Sequence, residues 1–377
     1  MKKIQMVDLK SQYDKIKDTV NASIQEVLDT TTYVNGPEVQ KFQKSLEEYL
    51  GVKHVIPCAN GTDALQIAMM GLDLQPGDEV ITADFTFAAT VEVIALLQLT
   101  PVLVDVEPDT FNISVEAIRN AITPKTKAIV PVHLFGQVAD MEAIMALAEE
   151  HNLYVIEDNA QAIGASYKFA DGSKKKAGTI GHVASTSFFP SKNLGCYGDG
   201  GAIFTNDDAL AHKLRGIVNH GMYERYHHDV VGVNSRLDSV QAAVLNAKLP
   251  LLDEYNRARR AAADKYSSAF AGHADIITPV IKGDDDSHVF HQYTLNILNA
   301  DRNALMQHLL EKGIPCAIYY PIPLHSQKAY ADAKYDENDF IVTNKLTKQV
   351  LSLPMHTELD DEQIQYITDI ILEFLSI

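Results

Sequence analysis

The sequence predicts an α/β protein in which a mostly parallel sheet is covered by helices on both faces. Between residues 51 and 250, short apolar segments alternate with segments whose apolar residues recur at helical spacing. This alternation is typical of strand–helix–strand units, because buried parallel strands are continuous apolar runs. Several polar or glycine-containing segments directly follow predicted strands, at the edge where open α/β sheets bind ligands. A smaller α+β domain is predicted to follow.

Two helices are predicted before the alternating region. Apolar residues at helical spacing over residues 9–30 predict an N-terminal helix. Pro37 begins a second helix that extends to Leu50. Proline is tolerated in the first helical turn, because the N–H group that it lacks would have had no partner there.

The alternating region supplies the predicted sheet and its helices. Strands are predicted at 52–58, 79–83, 101–105, 127–132, 153–157, in the segment that begins at Ser185, and at 202–205. Helices are predicted at 64–70, 91–97 and 141–150. Residues 168–176 predict an exposed hairpin tip, and we interpret its lysines as a solvated loop.

The C-terminal third predicts a second domain. A long helix over residues 239–270, with Pro250 as a kink or joint, connects it to the sheet. Beyond this helix, strands are predicted at 292–297 and 317–320, and helices at 302–312 and 362–375. We therefore place the large domain at 1–250 and the small α+β domain at 251–377. The N-terminal helix is a candidate to pack on the small domain.

The composition excludes several classes of partner. Lys and Arg total 32 against 50 Asp and Glu, and the net charge of −18 argues against nucleic acid and anionic membranes as partners. Cys58, Cys196 and Cys316 are far apart and form neither a disulfide framework nor a zinc pattern, as expected in the cytoplasm. No signal peptide is predicted, and no run reaches the roughly 18 apolar residues of a membrane helix.

The chemistry that the sequence suggests is centred on Lys192. This lysine stands between a predicted strand and a turn with four glycines between residues 195 and 201. A lysine confined in such a small frame loses part of its preference for the charged form, and the neutral amine condenses with aldehydes. This segment alone is equally compatible with a surface lysine beside a turn.

Two other segments carry groups that match such a lysine. Gly61 and Thr62 link a strand to a helix, where first-turn N–H groups and the helix dipole favour an anion. Asp158 follows an apolar strand and could pair with a protonated ring nitrogen, while Gln161 could reach a ring substituent. Taken alone, each segment is also explained by an ordinary helix cap.

Phe87 and Ser187 complete the set. Phe87 could stack on a flat ring, although aromatic residues more often belong to the core. Ser187, five residues before Lys192, could place a hydroxyl on a phosphate while the lysine reaches the other end of the ring. Together these groups fit a phosphorylated, flat, cationic ring that carries an aldehyde, which is pyridoxal 5′-phosphate.

Three segments resemble one enzyme family. Residues 61–65 (GTDAL), 157–161 (EDNAQ) and 187–195 (SFFPSKNLG) resemble the DegT/DnrJ/EryC1/StrS family of pyridoxal-phosphate aminotransferases, which act on keto sugars attached to nucleotides. The resemblance extends from Val7 to His356. It implies an aspartate-aminotransferase-like fold (fold type I) with a mostly parallel seven-stranded sheet. It also implies a homodimer with active sites at the interface.

The resemblance implies how the cofactor ring would be held. Lys192 would bind the cofactor covalently as a Schiff base and later move the proton, while Asp158 would pair with the pyridine nitrogen. These two residues are the predicted catalytic pair. Gln161 would lie near the ring hydroxyl, and Phe87 would stack on the ring.

The resemblance likewise implies a phosphate site built from both subunits. Gly61, Thr62 and Ser187 would hold the phosphate within one subunit. Asn234 would reach the same phosphate from the partner subunit. This contact would explain why residues 232–238 are mostly polar.

Three further segments are most similar to sugar 3-aminotransferases within the family, namely residues 226–228, 234–238 and 320–325. Among these, the set resembles WbpE-type enzymes, which aminate UDP-2-acetamido-2-deoxy-3-keto-glucuronate. Arg236 would then face the uronate carboxylate, and Tyr319, Tyr320 and His325 the sugar or the nucleotide. Tyr319 departs from that pattern, which has a histidine there, and this leaves the sugar open, including a dTDP-linked one.

The resemblance also implies the setting of the reaction. L-Glutamate is the usual amino donor of the family. The products of such enzymes enter surface polysaccharides such as O-antigen, and the enzyme is expected in the cytoplasm. His220, His227 and His228 predict a polar interface loop, so no metal site is expected.

Three other functions are compatible with parts of the sequence. A sugar 4-aminotransferase would use the same groups on a different keto carbon. A dehydratase of this family has histidine in place of the lysine, so Lys192 disfavours it. A regulatory protein that binds the cofactor without turnover is the third alternative, which the intact set of Lys192, Asp158 and Gln161 disfavours.

Overall fold

The computed structural model describes residues 2–376, and it confirms the predicted α/β class. The strands are β1 (His54–Cys58), β2 (Glu79–Ala83), β3 (Thr100–Val104), β4 (Thr126–Val130), β5 (Tyr154–Asp158), β6 (Ser166–Lys168), β7 (Lys174–Lys176), β8 (Val183–Ser187), β9 (Gly201–Thr205), β10 (Met222–Glu224), β11 (His227–His228), β12 (Ile276–Ile277), β13 (Tyr293–Ile297) and β14 (Val350–Leu353). The helices are α1 (Leu9–Thr30), α2 (Pro37–Leu50), α3 (Gly61–Gly71), α4 (Ala89–Leu96), α5 (Val115–Ala121), α6 (Met141–His151), α7 (Asp208–Ile217), α8 (Ser239–Lys248), α9 (Leu252–Ala269), α10 (Arg302–Glu311), α11 (Ile341–Gln349) and α12 (Asp361–Leu375).

The central sheet has seven strands in the order β1-β9-β8-β5-β4-β2-β3. All of its strands point the same way except β9, which is antiparallel to both β1 and β8. An antiparallel neighbour needs no crossover helix, and β8 is joined to β9 by an irregular loop over residues 188–200 that contains Lys192. Lys192 therefore lies beyond the carboxyl end of β8, in a connection that contains no helix.

The sheet separates two apolar cores. Successive residues of a strand point to opposite faces, so Val80 packs with one core and Ile81 with the other. Ala128 and Ile129 divide in the same way. Because both faces are buried, the strands are continuous apolar runs, which is the pattern that predicted them.

The long C-terminal helix of the prediction is broken at Pro250. The α8 helix ends at Lys248, a 3₁₀ turn covers Leu249–Leu251, and α9 begins at Leu252. Beyond α9, the three-stranded sheet β12-β13-β14 packs with α10 and α12 around a separate core, which also receives Ile4 from the N-terminus. The α1 helix itself buries Val20 and Val27, and its loop forms a bridge to Asp238 just before α8.

The predicted strand at 317–320 is wrong. Only Ala317 pairs, in an isolated bridge with Ser352, because the chain then leaves the small sheet and turns toward the aromatic residues of the large one. The ring of Tyr320 lies 6.0 Å from the ring of Phe85 and 6.4 Å from that of Phe135. Packing against these rings replaces the strand pairing that the local sequence favours.

The hairpin β6–β7 is present, but its lysines do more than face solvent. Lys168 lies 3.3 Å from Asp284, and Lys174 lies 2.7 Å from Asp284 and 3.0 Å from Asp286. These pairs are exposed, so each contributes about 0–1 kcal/mol. They join the hairpin to the segment that leads into β13. The interpretation as a solvated loop is therefore incomplete.

We expect Phe42→Ala to lower the free energy of unfolding by about 3–5 kcal/mol, because it removes a fully buried ring. Phe42 lies 5.3 Å from Phe188, edge to face, directly beneath the loop of Lys192. Chemical denaturation measures the change. Leu96→Ala, at a helical position that is 65% exposed, is the control and should cost less than about 1 kcal/mol. Equal losses in both variants would contradict this account of the core.

Candidate active site

The register of β9 brings two chain segments together at one end of the sheet. Gly201 is paired with Ser187 on one side and with Cys58 on the other. A Cβ atom at Gly201 would lie 2.4 Å from the carbonyl of Asn60, and one at Gly61 would lie 2.7 Å from the Cβ of Ser187. Glycine is therefore required at both positions, because any side chain would push the first turn of α3 away from Ser187.

The N-terminus of α3 forms a cradle for an anion. The Asn60 side chain caps the helix by accepting from the N–H of Asp63 at 2.8 Å, and its carbonyl accepts from Ala64 at 3.1 Å. Within residues 2–376, the N–H groups of Gly61 and Thr62 have no hydrogen-bond partner. Free first-turn N–H groups and the helix dipole attract negative charge. The neighbouring hydroxyl of Ser187 accepts from Phe189 at 3.3 Å and can still donate.

Lys192 is held in the β8–β9 loop beside this cradle. Its N–H donates to the carbonyl of Phe189 at 2.8 Å, and the loop is closed by Cys196, whose N–H donates to Phe188 at 2.8 Å. The lysine is half-buried. Desolvation lowers the pKa of Lys192 to about 8, and the nearby Asp158 carboxylate opposes this shift. A substantial fraction of the amine is therefore neutral and nucleophilic near neutral pH.

Asp158 ends β5, next to the strand that leads to Lys192. It is 5% exposed, and it accepts from the hydroxyl of Thr90 at 2.8 Å and from the N–H of Ala160 at 3.1 Å. The preceding Glu157 points to the opposite face. Hydrogen bonds from His133 and backbone N–H groups outweigh the burial of Glu157, so that its pKa is lowered. The orientation of both carboxylates is thus fixed by the groups that donate to them.

Gln161 and two aromatic residues form the opposite wall. The Gln161 side chain accepts from the N–H of Phe135 at 2.7 Å and donates to the hydroxyl of Tyr320 at 3.3 Å. Burial raises the pKa of Tyr320, so this hydroxyl stays protonated. Phe87 is 58% exposed, with its ring 6.3 Å from that of Tyr320. An aromatic side chain this exposed is free to cover a flat ligand.

The predicted substrate residues lie in different environments. Arg236 is half-buried and, among the described residues, it has no hydrogen bond or ion pair. Tyr319 is half-buried, and burial raises its pKa. His325 is 6% exposed, and its Nδ1 and backbone N–H both lie 2.7 Å from the carboxylate of Asp84. The observed hydrogen-bond partner of His325 is Asp84. Contact between His325 and the substrate stays a prediction.

Asn234 has no hydrogen bond to the cradle of its own subunit among the described residues, although the hydroxyl of the next residue, Ser235, accepts from the N–H of Ala59 at 3.1 Å. Asn234 is exposed and forms an isolated bridge with Asn219. Its predicted contact with the phosphate of a partner subunit is not tested by a single chain.

Two residues that support the site have no equivalent in the sequence prediction. Thr90 donates to Asp158, and Asp84 holds His325. Both stand within seven residues after β2, so the rule that ligand sites follow parallel strands could have indicated them. The rule could not have paired them with residues that are far away in sequence.

Two classes of feature are absent from the described part of the chain. No cluster of three or more His, Cys, Asp or Glu side chains that could hold a metal ion occurs in residues 2–376. Over the same residues, no helix is both long and apolar enough to cross a membrane.

Comparison with known proteins identifies relatives over the whole chain. A profile of the DegT/DnrJ/EryC1/StrS aminotransferase family matches residues 14–372. UDP-2-acetamido-2-deoxy-3-oxo-D-glucuronate aminotransferase of Pseudomonas aeruginosa is 49% identical, over 97% of this chain and 98% of the relative. A pleiotropic regulatory protein of Geobacillus stearothermophilus is 46% identical, over 98% of both. UDP-N-acetyl-3-dehydro-alpha-D-glucosamine 3-aminotransferase of Acidithiobacillus ferrooxidans is 45% identical, over 98% and 97%.

A solved structure supports the same assignment. The ntda protein of Bacillus subtilis, with bound cofactor PMP, matches with a TM-score of 0.91 at 30% identity. The match covers 100% of this chain and 86% of that one. PMP is the amino form of pyridoxal phosphate, so the match shows both the fold and the type of cofactor.

The fold and the site together define a fold type I enzyme that uses pyridoxal phosphate. The residues present fit this cofactor, since a lysine of lowered pKa, a buried carboxylate and an anion cradle surround one space. The chain belongs to the DegT/DnrJ/EryC1/StrS aminotransferase family and is a pyridoxal-phosphate-dependent sugar aminotransferase.

We expect cofactor-free protein to capture pyridoxal phosphate at a rate that rises with pH and is half-maximal near pH 8. The sign follows because only the neutral Lys192 amine attacks the aldehyde, and this form dominates above its pKa. An exposed lysine would give a midpoint near roughly 10.4. Stopped-flow absorbance measures the rate, and a midpoint at that higher value would contradict the desolvation of Lys192.

Proposed function

We propose that the protein transfers the amino group of L-glutamate to C3 of a UDP-linked 3-keto sugar, with the 3-keto derivative of UDP-2-acetamido-2-deoxy-glucuronate as the substrate. The observation that carries this proposal is the unpaired Arg236 of a chain whose Lys192 and Asp158 form a pyridoxal-phosphate site. The names of two relatives, at 49% and 45% identity, both describe amination of 3-keto UDP-sugars.

Lys192 carries the proton in this proposal. The bound cofactor supplies an aldehyde for the amino groups and a ring that accepts electrons from the adjacent carbon. Once an amino acid has displaced it, Lys192 returns as a free amine next to the reacting carbon. With a pKa of about 8, its Nζ can take the proton from Cα of the donor and deliver it again near neutral pH.

Asp158 keeps the ring nitrogen protonated. Its carboxylate is buried, and its donors Thr90 and Ala160 fix its orientation. A charge at this place stabilises a cation on the ring, and a protonated ring is the better acceptor of electrons. Gln161, held between Phe135 and Tyr320, would meet the ring hydroxyl on the other side.

We assign Arg236 as the positive charge that binds the substrate. Arg236 is half-buried and has no hydrogen bond or ion pair within residues 2–376, so its guanidinium is available to an anionic ligand. Arg236 can form two parallel hydrogen bonds with a carboxylate, which a neutral sugar lacks. The hydroxyls of Tyr319 and Tyr320 can donate and accept hydrogen bonds, which suits a sugar.

The active site is proposed to form in a homodimer. Apolar residues that are exposed in the single chain surround α8 and the Lys192 loop, namely Tyr33, Val34, Phe189, Tyr197, Tyr226 and Val231. Burial of such residues stabilises an interface. In the dimer, Asn234 would complete the phosphate cradle of the other subunit.

A regulatory protein is the second candidate function. The observation that favours it is the 46% identity to a protein named as a pleiotropic regulatory protein. Such a protein would bind the cofactor without turnover. The presence of Asp158 and Gln161 beside Lys192 disfavours this candidate, because binding the cofactor through the lysine alone does not require a carboxylate for its ring nitrogen.

The wider setting follows from the proposed reaction. An amino sugar on UDP is a precursor of surface polysaccharides such as O-antigen, and its synthesis belongs in the cytoplasm, where nucleotide sugars are made. A 4-keto or dTDP-linked sugar is the alternative substrate within the same reaction class.

We expect purified protein with pyridoxal phosphate to show the absorbance of the lysine-bound cofactor, and L-glutamate to remove it. The 3-keto UDP-uronate should then restore the band, whereas 4-keto sugars should not. A band that does not change with glutamate or other amino acids would favour the regulatory protein.

Lys192→Ala should lower turnover by more than about 1,000-fold, and Asp158→Ala by about 100–1,000-fold. Lys345→Ala, at an exposed lysine, is the control.

We expect Arg236→Gln to raise KM for a uronate substrate by about 10–100-fold, because a charge-assisted hydrogen bond contributes about 1.5–3 kcal/mol. The value of KM for L-glutamate should not change. Arg257→Gln, at an exposed arginine of α9, is the matched control. Equal KM values for the uronate in wild type and variant would exclude Arg236 as the carboxylate contact.

A further inference from the structure

Asp84 and His325 form a buried pair that the proposed mechanism leaves unused. One oxygen of the Asp84 carboxylate accepts from the backbone N–H of His325 and the other from its Nδ1, each at 2.7 Å. The carbonyl of Asp84 also accepts from the N–H of Leu324 at 3.3 Å. Asp84 is 1% exposed and His325 is 6% exposed. Three hydrogen bonds therefore join the end of β2 to a segment that lies about 240 residues later in the chain.

The ring of His325 is occupied by groups of the protein itself. Its Nδ1 donates to Asp84, and its buried Nε2 lies 3.4 Å from the carboxylate of Glu337 but has no hydrogen-bond partner within residues 2–376. The ring stacks on Phe340, with the centroids 4.2 Å apart and an angle of 10° between the planes. Burial raises the pKa of Asp84, and the hydrogen bonds from His325 oppose this rise. Both ring nitrogens thus face carboxylates of the chain.

Asp84 begins the segment 84–90, which carries the aromatic residue predicted to cover the cofactor ring, Phe87. The other end of this segment is held by Thr90, whose hydroxyl donates to Asp158 at 2.8 Å. The two ends are therefore attached by side-chain hydrogen bonds to parts of the protein that are far away in sequence. One of these attachments is His325, and the other is the predicted partner of the ring nitrogen.

Few contacts hold Phe87 itself. Phe85 packs in the core, but among the described residues 85–87 form no backbone hydrogen bond, and the buried hydroxyl of Thr86 has no partner. Phe87 is 58% exposed, and its ring lies 6.3 Å from that of Tyr320. The orientation of the Phe87 ring therefore depends on its backbone, and so on how the ends of the segment are held.

We propose that His325 is a positioning residue that, through Asp84, holds Phe87 over the cofactor ring. The two hydrogen bonds to the Asp84 carboxylate fix the start of the segment, so the Phe87 ring is in place before the cofactor binds. Such preorganisation strengthens binding, because less order has to be gained when the ligand arrives. The inference rests on the proposed stacking of Phe87, and it does not depend on which sugar the enzyme aminates.

The test uses the different reach of two amide side chains. His325→Asn places an amide donor near the position of Nδ1, where it can donate to Asp84, whereas His325→Gln places one near the position of Nε2. His325→Phe keeps the stacking on Phe340 and removes both nitrogens. His356→Phe is the matched control, because His356 is 3% exposed in the loop after β14 and its Nδ1 accepts from the N–H of Glu358 at 3.1 Å. Each variant is prepared free of cofactor.

We expect the dissociation constant for pyridoxal phosphate, from titration of cofactor-free protein, to rise about 3–10-fold in His325→Phe and His325→Gln, because aromatic stacking contributes roughly this factor. His325→Asn should stay close to the wild-type value. His356→Phe should lower the unfolding temperature and leave the dissociation constant unchanged. In a Phe87→Leu background, His325→Phe should add no further loss, since the ring that it positions has been removed.

The inference is overturned if His325→Phe and His325→Gln keep the wild-type dissociation constant. It is equally overturned if His325→Asn binds as weakly as His325→Gln, or if His325→Phe adds its full loss in the Phe87→Leu background. If His325→Phe does not fold, the comparison of His325→Asn with His325→Gln decides the question. Wild-type protein that binds the cofactor but does not aminate a 3-keto UDP-sugar would instead refute the proposed function alone.

Discussion

The site depends on the pairing of one reversed strand between two others. Because β9 is antiparallel to both β1 and β8, Gly201 lies opposite Ser187 and Cys58 at the same time. This pairing brings the start of α3 against the loop of Lys192, and it leaves no space for a side chain at Gly61 or Gly201. The hydrogen bonds of the sheet thus hold the anion cradle and the loop of the reactive lysine next to each other.

The charges of the site are balanced by burial rather than by ion pairs. Lys192 is desolvated, which lowers the pKa of its amine, whereas the buried Asp158 carboxylate accepts hydrogen bonds from Thr90 and Ala160. These two donors fix the orientation of the carboxylate before any ligand arrives. Such preorganisation reduces the reorganisation that the reaction would otherwise need.

Most of the fold could be predicted from the sequence because its strands are apolar on both faces. The segments at 79–83 and 153–157 are apolar runs of strand length, and the structure has strands there, the second of which ends at Asp158. The strand at 317–320 could not be excluded locally, since its loss results from aromatic packing against Phe85 and Phe135, far away in sequence. For the same reason, Thr90 and Asp84 could not be assigned partners. The helices α5, α7 and α11 are absent from the prediction, although α7 has a local signal in its N-cap residue Asp207.

The lysines of the β6–β7 hairpin make the attachment of one segment sensitive to ionic strength. Lys168 and Lys174 hold Asp284 and Asp286, and the chain then runs past Gly136 and Asn193 toward β13. The outer end of this segment is held by exposed ion pairs, which dissolved salt screens. Its inner end is held by buried hydrogen bonds between uncharged groups, which salt does not screen. Raising the ionic strength therefore weakens the attachment of the outer end of this segment and leaves the attachment of its inner end unchanged.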